Sequence, residues 1–160
     1  MSSPQENTAM PREHSVGRRI IAIARMARSW VDVRLAPYGI GLSQAQILVV
    51  LYDGDGISQN EIGSQLHIDK SSMARTIRRL VDEGYVERQD DPADERAYRV
   101  VLTARAHGER EAIVSILREW TAAATEELTD REFGVLSDLL ARVAHRAEQL
   151  AHDTRTHDAL

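Results

Sequence analysis

Apolar residues recur at three- and four-residue spacing over most of this chain, which is the period of an amphipathic helix. The spacing predicts a first helix from about Ser15 to Leu35, ended by Pro37 and Gly39. Two more long helices are predicted near the C-terminus, at about residues 103–124 and 131–152. The pattern therefore indicates a mainly helical protein with long helices at both ends.

Three pairs of residues mark helix starts within this pattern. In a capping box, a Ser or Thr and a Glu or Gln three residues later satisfy each other's free backbone amides. The pairs are Ser43 with Gln46, Ser58 with Glu61, and Thr129 with Glu132. We expect a helix to begin at each pair.

The middle of the chain passes from helices to strands. Asp69 fits the N-cap of a helix that Gly84 would end. Residues 85–89 and 97–102 are β-like and are separated by residues typical of turns. Two helices joined by a short turn and followed by a hairpin form a winged helix-turn-helix, here over about residues 42–103. We expect a mainly α fold with a small β-wing, in which helical flanks accompany the winged lobe (α+β).

The helix after Asp69 has two unlike faces. Successive residues turn by about 100°, which groups the apolar residues on one predicted buried side: Met73, Ile77, Leu80 and Val81. The opposite side carries Ser71, Arg75 and Arg79, with Ser72 just beyond, and Lys70 precedes them. Arginines and hydroxyls near the start of such a helix can bind base edges or phosphates in the major groove. The alternatives are a solvated surface helix, or a winged helix that binds protein without sequence-specific DNA binding.

Charge and composition narrow the function classes. The net charge is −5, yet residues 69–81 hold four cationic side chains against one acidic one. There is no cysteine, which excludes disulfides and thiol chemistry. We find no enzyme motif, expect no cofactor, and predict a protein that is not an enzyme. Residues 1–12 are polar and carry two prolines, so we expect a disordered tail, no membrane segment and a cytoplasmic location.

The run from residue 42 to 103 resembles the MarR family of transcriptional regulators. The resemblance rests on I-D-K-S-S at the start of the arginine-bearing helix, on L-V-D-E-G-Y-V-E-R after it, and on D-P-x-D-x-R before V-x-L-T. It implies one domain over residues 13–155, with dimerisation helices at about 13–38 and 104–152. It also implies a homodimer on a palindromic operator in double-stranded DNA, with repression the expected role and activation the alternative.

By the same resemblance, Lys70 and the Ser and Arg residues of the outward face are DNA-binding, and Arg96 with Asp94 forms the wing pair. An arginine at a wing tip can enter the minor groove, and the alternative is a surface ion pair of little energy. Glu95 stands where the family often has Arg, and Ala106 stands where a glycine is common.

Many members of the family bind a small aromatic or phenolic ligand between the dimerisation helices and the winged lobe. The resemblance places Arg25, Trp30 and Gln44 beside that site. The alternative is that Trp30 belongs to the core and Arg25 reaches solvent. The C-terminal histidines His145, His152 and His157 lack a third ligand of defined position, so we predict no metal site.

Overall fold

The computed structural model describes residues 12–92 and 94–157, with side chains described for 15–92 and 98–151. Along the chain its elements are α1 (Arg12–Leu35), a 3₁₀ turn (Ala36–Tyr38), α2 (Leu42–Asp53), β1 (Ile57–Ser58), α3 (Gln59–Leu66), α4 (Lys70–Asp82), β2 (Val86–Asp91), β3 (Asp94–Leu102), α5 (Ala104–Ala124) and α6 (Asp130–His157). The predicted fold class, mainly helical with a small β-wing, is confirmed.

Local caps place the two helices of the helix-turn-helix as predicted. The Ser58 amide donates to Glu61 Oε2 at 2.8 Å, and the Glu61 amide donates to Ser58 Oγ at 3.2 Å. His67 ends α3 in the left-handed region, with φ of 53°. Asp69 Oδ1 then accepts from the amides of Ser71 and Ser72, at 3.1 and 2.9 Å, and so begins α4. The predicted box of Thr129 with Glu132 is also confirmed at the start of α6.

The predicted capping box of Ser43 with Gln46 is wrong. The second helix begins one residue earlier, after Gly41, which has no side chain with which to cap. Instead Asp32 of α1 accepts from the Leu42 amide at 2.7 Å, and Gln44 Oε1 accepts from the Gly41 amide at 3.0 Å. A carboxylate from another helix therefore caps the start of α2 in place of the local pair that was predicted.

The sheet contains three antiparallel strands in the order β1-β3-β2. The two-residue strand β1 was not predicted, and it pairs Ile57 with Val100 of the wing. The two wing strands are longer than predicted, because Asp91 pairs with Asp94 after a register shift. The wing is therefore attached along its inner strand to the residues that precede α3.

The core of the winged lobe lies between α2, α3, α4, α5 and the sheet. Met73, Ile77 and Leu80 of α4 are fully buried, as predicted, whereas Val81 is 37% exposed and that prediction is wrong. Val81 lies at the edge of the apolar side, and in the single chain no element covers it fully.

Two of the long helices keep large apolar residues exposed in the single chain. On α1 they lie mainly in its N-terminal part, at Val16, Ile20, Ile21, Ile23 and Met26. On α6 they are Phe133, Val135, Leu136, Leu139, Leu140, Val143 and Leu150. Among the described residues no single helix is long and apolar enough to cross a membrane. The segments Ser15–Tyr38 and Leu42–Asp53 reach the required length and hydropathy only when they are taken together, and the chain bends by 74° between them.

Candidate nucleic-acid interface

The outward face of α4 is formed as the sequence predicts. Ser71, Arg75 and Arg79 are exposed, as is Lys70 in the first turn, while Ser72 is half-buried. Buried residues on the opposite side prevent the helix from rotating about its axis, because any rotation would expose core side chains. The backbone thus presents one hydroxyl and two guanidinium groups on a fixed surface.

The charges on this surface are available to an anion. Lys70, Arg75, Arg78 and Arg79 are exposed, and none of the four is in an ion pair with another described side chain. Asp69 lies beside them, but its carboxylate is engaged by backbone amides. The amide of Ser72, and then that of Ser71, holds the pKa of Asp69 below its ordinary value. Helix α4 therefore has a fixed N-cap, and its exposed surface carries unpaired cations from the first turn to the last.

A side-chain bridge connects the wing to the start of α4. The amide of Gln59 donates to the carbonyl of Lys70 at 3.3 Å, and its oxygen accepts from the hydroxyl of Tyr98 on β3. The guanidinium of Arg88 lies 4.6 Å from the Tyr98 ring centroid. Gln59, at the start of α3, thus links the wing to α4 through two hydrogen bonds that were not predicted from the sequence.

The predicted wing pair lies largely outside the described part of the chain. The backbone of Asp94 and Arg96 belongs to β3, but the side chains of residues 93–97 are not among those described. Of the other wing arginines, Arg99 pairs with Asp91 at 3.3 Å and also donates to the carbonyl of Gly56 at 3.3 Å. Arg99 is therefore engaged in holding the wing to the turn before β1.

A cavity of about 570 Å³ lies between α1, the start of α2 and α4. Its polar walls include three arginines, Arg28 from α1 with Arg75 and Arg79 from α4, and also Asp32, Ser43, Gln44, Ser72 and Thr76. Of the three predicted effector residues, Gln44 lines this cavity. Arg25 is exposed and does not line it, and Trp30 packs against Trp120 with ring centroids 5.8 Å apart.

Arg28 was not among the residues predicted from the sequence. Its guanidinium donates to Ser43 Oγ at 3.1 Å, and this hydrogen bond holds the side chain beside the first turn of α2. Arg25 and Arg28 are about one helical turn apart, so the sequence alone does not show which of them faces the cavity. The packing of α1 against the rest of the fold places Arg28 there.

The C-terminal histidines form no cluster within the described part of the chain. His145 Nδ1 lies 3.8 Å from Glu148, and Glu148 also lies 2.9 Å from Nε2 of His67 in the helix-turn-helix. No group of three His, Asp or Glu side chains converges among the described residues, and the side chains of His152 and His157 are outside them.

Known proteins resemble this chain in both sequence and structure. A model of the MarR family matches residues 38–97. The uncharacterised HTH-type transcriptional regulator YdgJ of Bacillus subtilis is 31% identical over 115 residues, which are 70% of this chain and 68% of that protein. A MarR transcriptional regulator from Methanosarcina mazei is 32% identical with a TM-score of 0.79, covering 89% of this chain and 95% of that one. A mutant MarR from E. coli, crystallised with operator DNA, is 27% identical with a TM-score of 0.74, covering 81% and 93%.

We expect acid to remove the stability that Asp69 gives to the start of α4. Since its pKa is lower in the folded chain, its carboxylate stabilises the fold above the ordinary value of 3.8, and this contribution is lost as the pH falls through the lower, folded-state pKa. Asp69→Asn retains a capping side chain that cannot titrate. Urea unfolding at one protein concentration, from about pH 7 to about pH 2.5, should show the wild type losing free energy of unfolding relative to this variant. A constant difference across that range would contradict the prediction.

Proposed function

Because the chain belongs to the MarR family of transcriptional regulators, we propose that it binds a palindromic operator sequence-specifically as a homodimer and represses transcription. The observation that carries this proposal is the outward face of α4, where Arg75 and Arg79 stand exposed and unpaired among the described side chains. Such a face can enter the major groove of DNA. The site of action is then the cytoplasm, as the sequence predicts.

Each group on α4 has a role in this proposal. Arg75 and Arg79 can each give two hydrogen bonds to a guanine, because the guanidinium donors form a rigid fork. Ser71 and Ser72 can serve a base or a phosphate, and Lys70 a phosphate. We assign Arg96, held by Asp94, to the minor groove beside each half-site, where the potential is most negative.

The homodimer is proposed from the apolar surfaces of α1 and α6. A run of exposed Leu, Val and Phe on one side of a helix is costly in water and marks an interface. The winged lobe already has a complete core, so a second copy is the occupant that the two helices fit. Two-fold symmetry then gives a palindromic operator, with half-sites about one helical turn apart.

The competing proposal is a winged helix that binds protein without reading DNA. It has less support, because it gives no role to the unpaired cations of α4. Binding measurements on specific and random DNA distinguish this proposal from sequence-specific DNA binding.

We expect Arg75→Ala to weaken binding to the specific site by about 1–3 kcal/mol and to relax the preference at one base pair per half-site. The site itself is obtained by selecting bound fragments from the source genome. The matched control is Arg118→Ala, which removes the same charge from an exposed position on α5, where Arg118 pairs with Glu111 at 3.4 Å. Fluorescence anisotropy with specific and random duplexes measures both variants. Equal losses on the two duplexes would make Arg75 a phosphate contact, and no specific site at all would favour the protein-binding module.

A charge on the apolar side of α6 should dissociate the dimer. Leu140 is 48% exposed on the apolar side in the single chain, while Ala141 next to it faces away from that side. We expect Leu140→Glu to give a monomer with weakened operator binding, since a buried unpaired carboxylate is costly. Ala141→Glu adds the same charge and should leave the dimer intact. Sedimentation equilibrium reports the mass, and a dimeric Leu140→Glu protein would exclude this surface from the interface.

We further propose that a small aromatic acid binds the cavity and weakens DNA binding. Support comes from the three arginines in its wall, since guanidinium groups pair with carboxylates. Salicylate should lower operator affinity about 5- to 150-fold, the usual range for two linked sites. Arg28→Ala should reduce this effect, whereas Arg25→Ala, outside the cavity, should behave as the wild type. If millimolar salicylate and related acids shift none of the three proteins, this ligand class is wrong.

A further inference from the structure

The side chain of one arginine links three elements of the fold by polar contacts. Arg105 lies in the first turn of α5, and its Nη2 donates to the carbonyl of Tyr38 at 3.2 Å. Its Nη1 donates to the carbonyl of Glu83, and its Nε lies 3.3 Å from Glu109 Oε1. A single guanidinium thus connects α5 with the end of α4 and with the 3₁₀ turn between α1 and α2.

A buried tyrosine completes the same cluster. Tyr85 is 0% exposed, and the guanidinium of Arg105 lies 4.4 Å from its ring centroid. The Tyr85 hydroxyl lies 2.8 Å from the Tyr38 carbonyl and within hydrogen-bond distance of Glu109. Burial, and then the hydrogen bond to Glu109, raises the pKa of this hydroxyl, which stays protonated and available as a donor.

The two carbonyls that Arg105 binds are at the ends of helical segments. Glu83 is the C-cap of α4, and Tyr38 is the last residue of the 3₁₀ turn. Carbonyls in such positions lack a partner within their own helix, and a cation beside them also interacts favourably with the helix dipole. Since a guanidinium is a planar, rigid fork, it holds both carbonyls in one relative orientation.

We propose that Arg105 is a positioning residue that sets the angle of α4 relative to the dimerisation helices, and thereby the half-site spacing that the protein accepts. This inference rests on the proposed function as a dimer on DNA. In a two-fold dimer the separation and tilt of the two reading helices follow from how each winged lobe is attached to the central helices. Arg105 occupies that attachment, so its loss should free the lobe to reorient without changing any group that contacts a base.

The test compares operators whose half-site spacing is changed by about one or two base pairs in either direction. The wild type should lose affinity steeply as the spacing departs from the selected site. Arg105→Met keeps the apolar stem but removes the fork, and its spacing penalty should be smaller than that of the wild type by about fivefold or more. Arg118→Met, on the exposed side of α5, is the control and should retain the wild-type penalty.

A second variant and a second measurement separate positioning from stability. Arg105→Lys keeps the charge without the planar fork, so it should fold and restore the spacing penalty only in part. Urea unfolding of each variant corrects every affinity for the folded fraction. If the Arg105→Met protein does not fold, the spacing penalty of the Arg105→Lys protein is compared with that of the wild type instead.

Two results would overturn the inference. If both Arg105 variants lose affinity equally at every spacing, Arg105 only stabilises the fold. If the wild type binds operators of every spacing with equal affinity, the angle of α4 does not determine the accepted half-site spacing. A wild type that binds no specific site would overturn the proposed function and this inference together, and that result is distinct from a wild type that binds its site without a spacing preference.

Discussion

The burial of one side of α4 is the constraint on which the rest of the molecule depends. Met73, Ile77 and Leu80 are each fully buried in the core of the winged lobe. Burying a side chain of this size contributes about 1.5–3 kcal/mol, so the three together oppose any rotation of the helix. Because the residues of a helix follow one another at a fixed angle, this packing alone turns Arg75 and Arg79 outward. The same apolar spacing thus builds the core and places the cationic face.

Features fixed by neighbours in the sequence could be predicted, and features fixed by distant residues could not. The cap of Asp69 on α4 involves residues two and three positions away, and it was found from the sequence. The start of α2 depends on Asp32, ten residues away, and the local pair gave the wrong cap. Strand β1 is only two residues long and forms because Ile57 pairs with Val100. Two residues are too few to show the alternation by which a strand is predicted from the sequence.

The candidate site divides along the same line. The outward residues of α4 follow from helical geometry, so the sequence could name them. The cavity could not be predicted in the same way, because residues from three separate elements line it. Its position depends on how α1 packs against the start of α2 and against α4. Gln44, one of the residues proposed from the sequence, lines this cavity together with Arg28, whereas Arg25 does not line it. The bridge of Gln59 between the wing and α4 also joins residues too distant for a local pattern.

The cavity and the outward face of α4 that we propose to bind DNA share two side chains, Arg75 and Arg79. A carboxylate in the cavity and a base or phosphate outside it would therefore draw on the same guanidinium groups. Each guanidinium has one set of donors in a fixed plane, so full engagement on one side lowers what it can offer on the other. Binding at the two places would be antagonistic even with the backbone unmoved. Any reorientation of the winged lobe at its attachment to α5 would add to this direct competition.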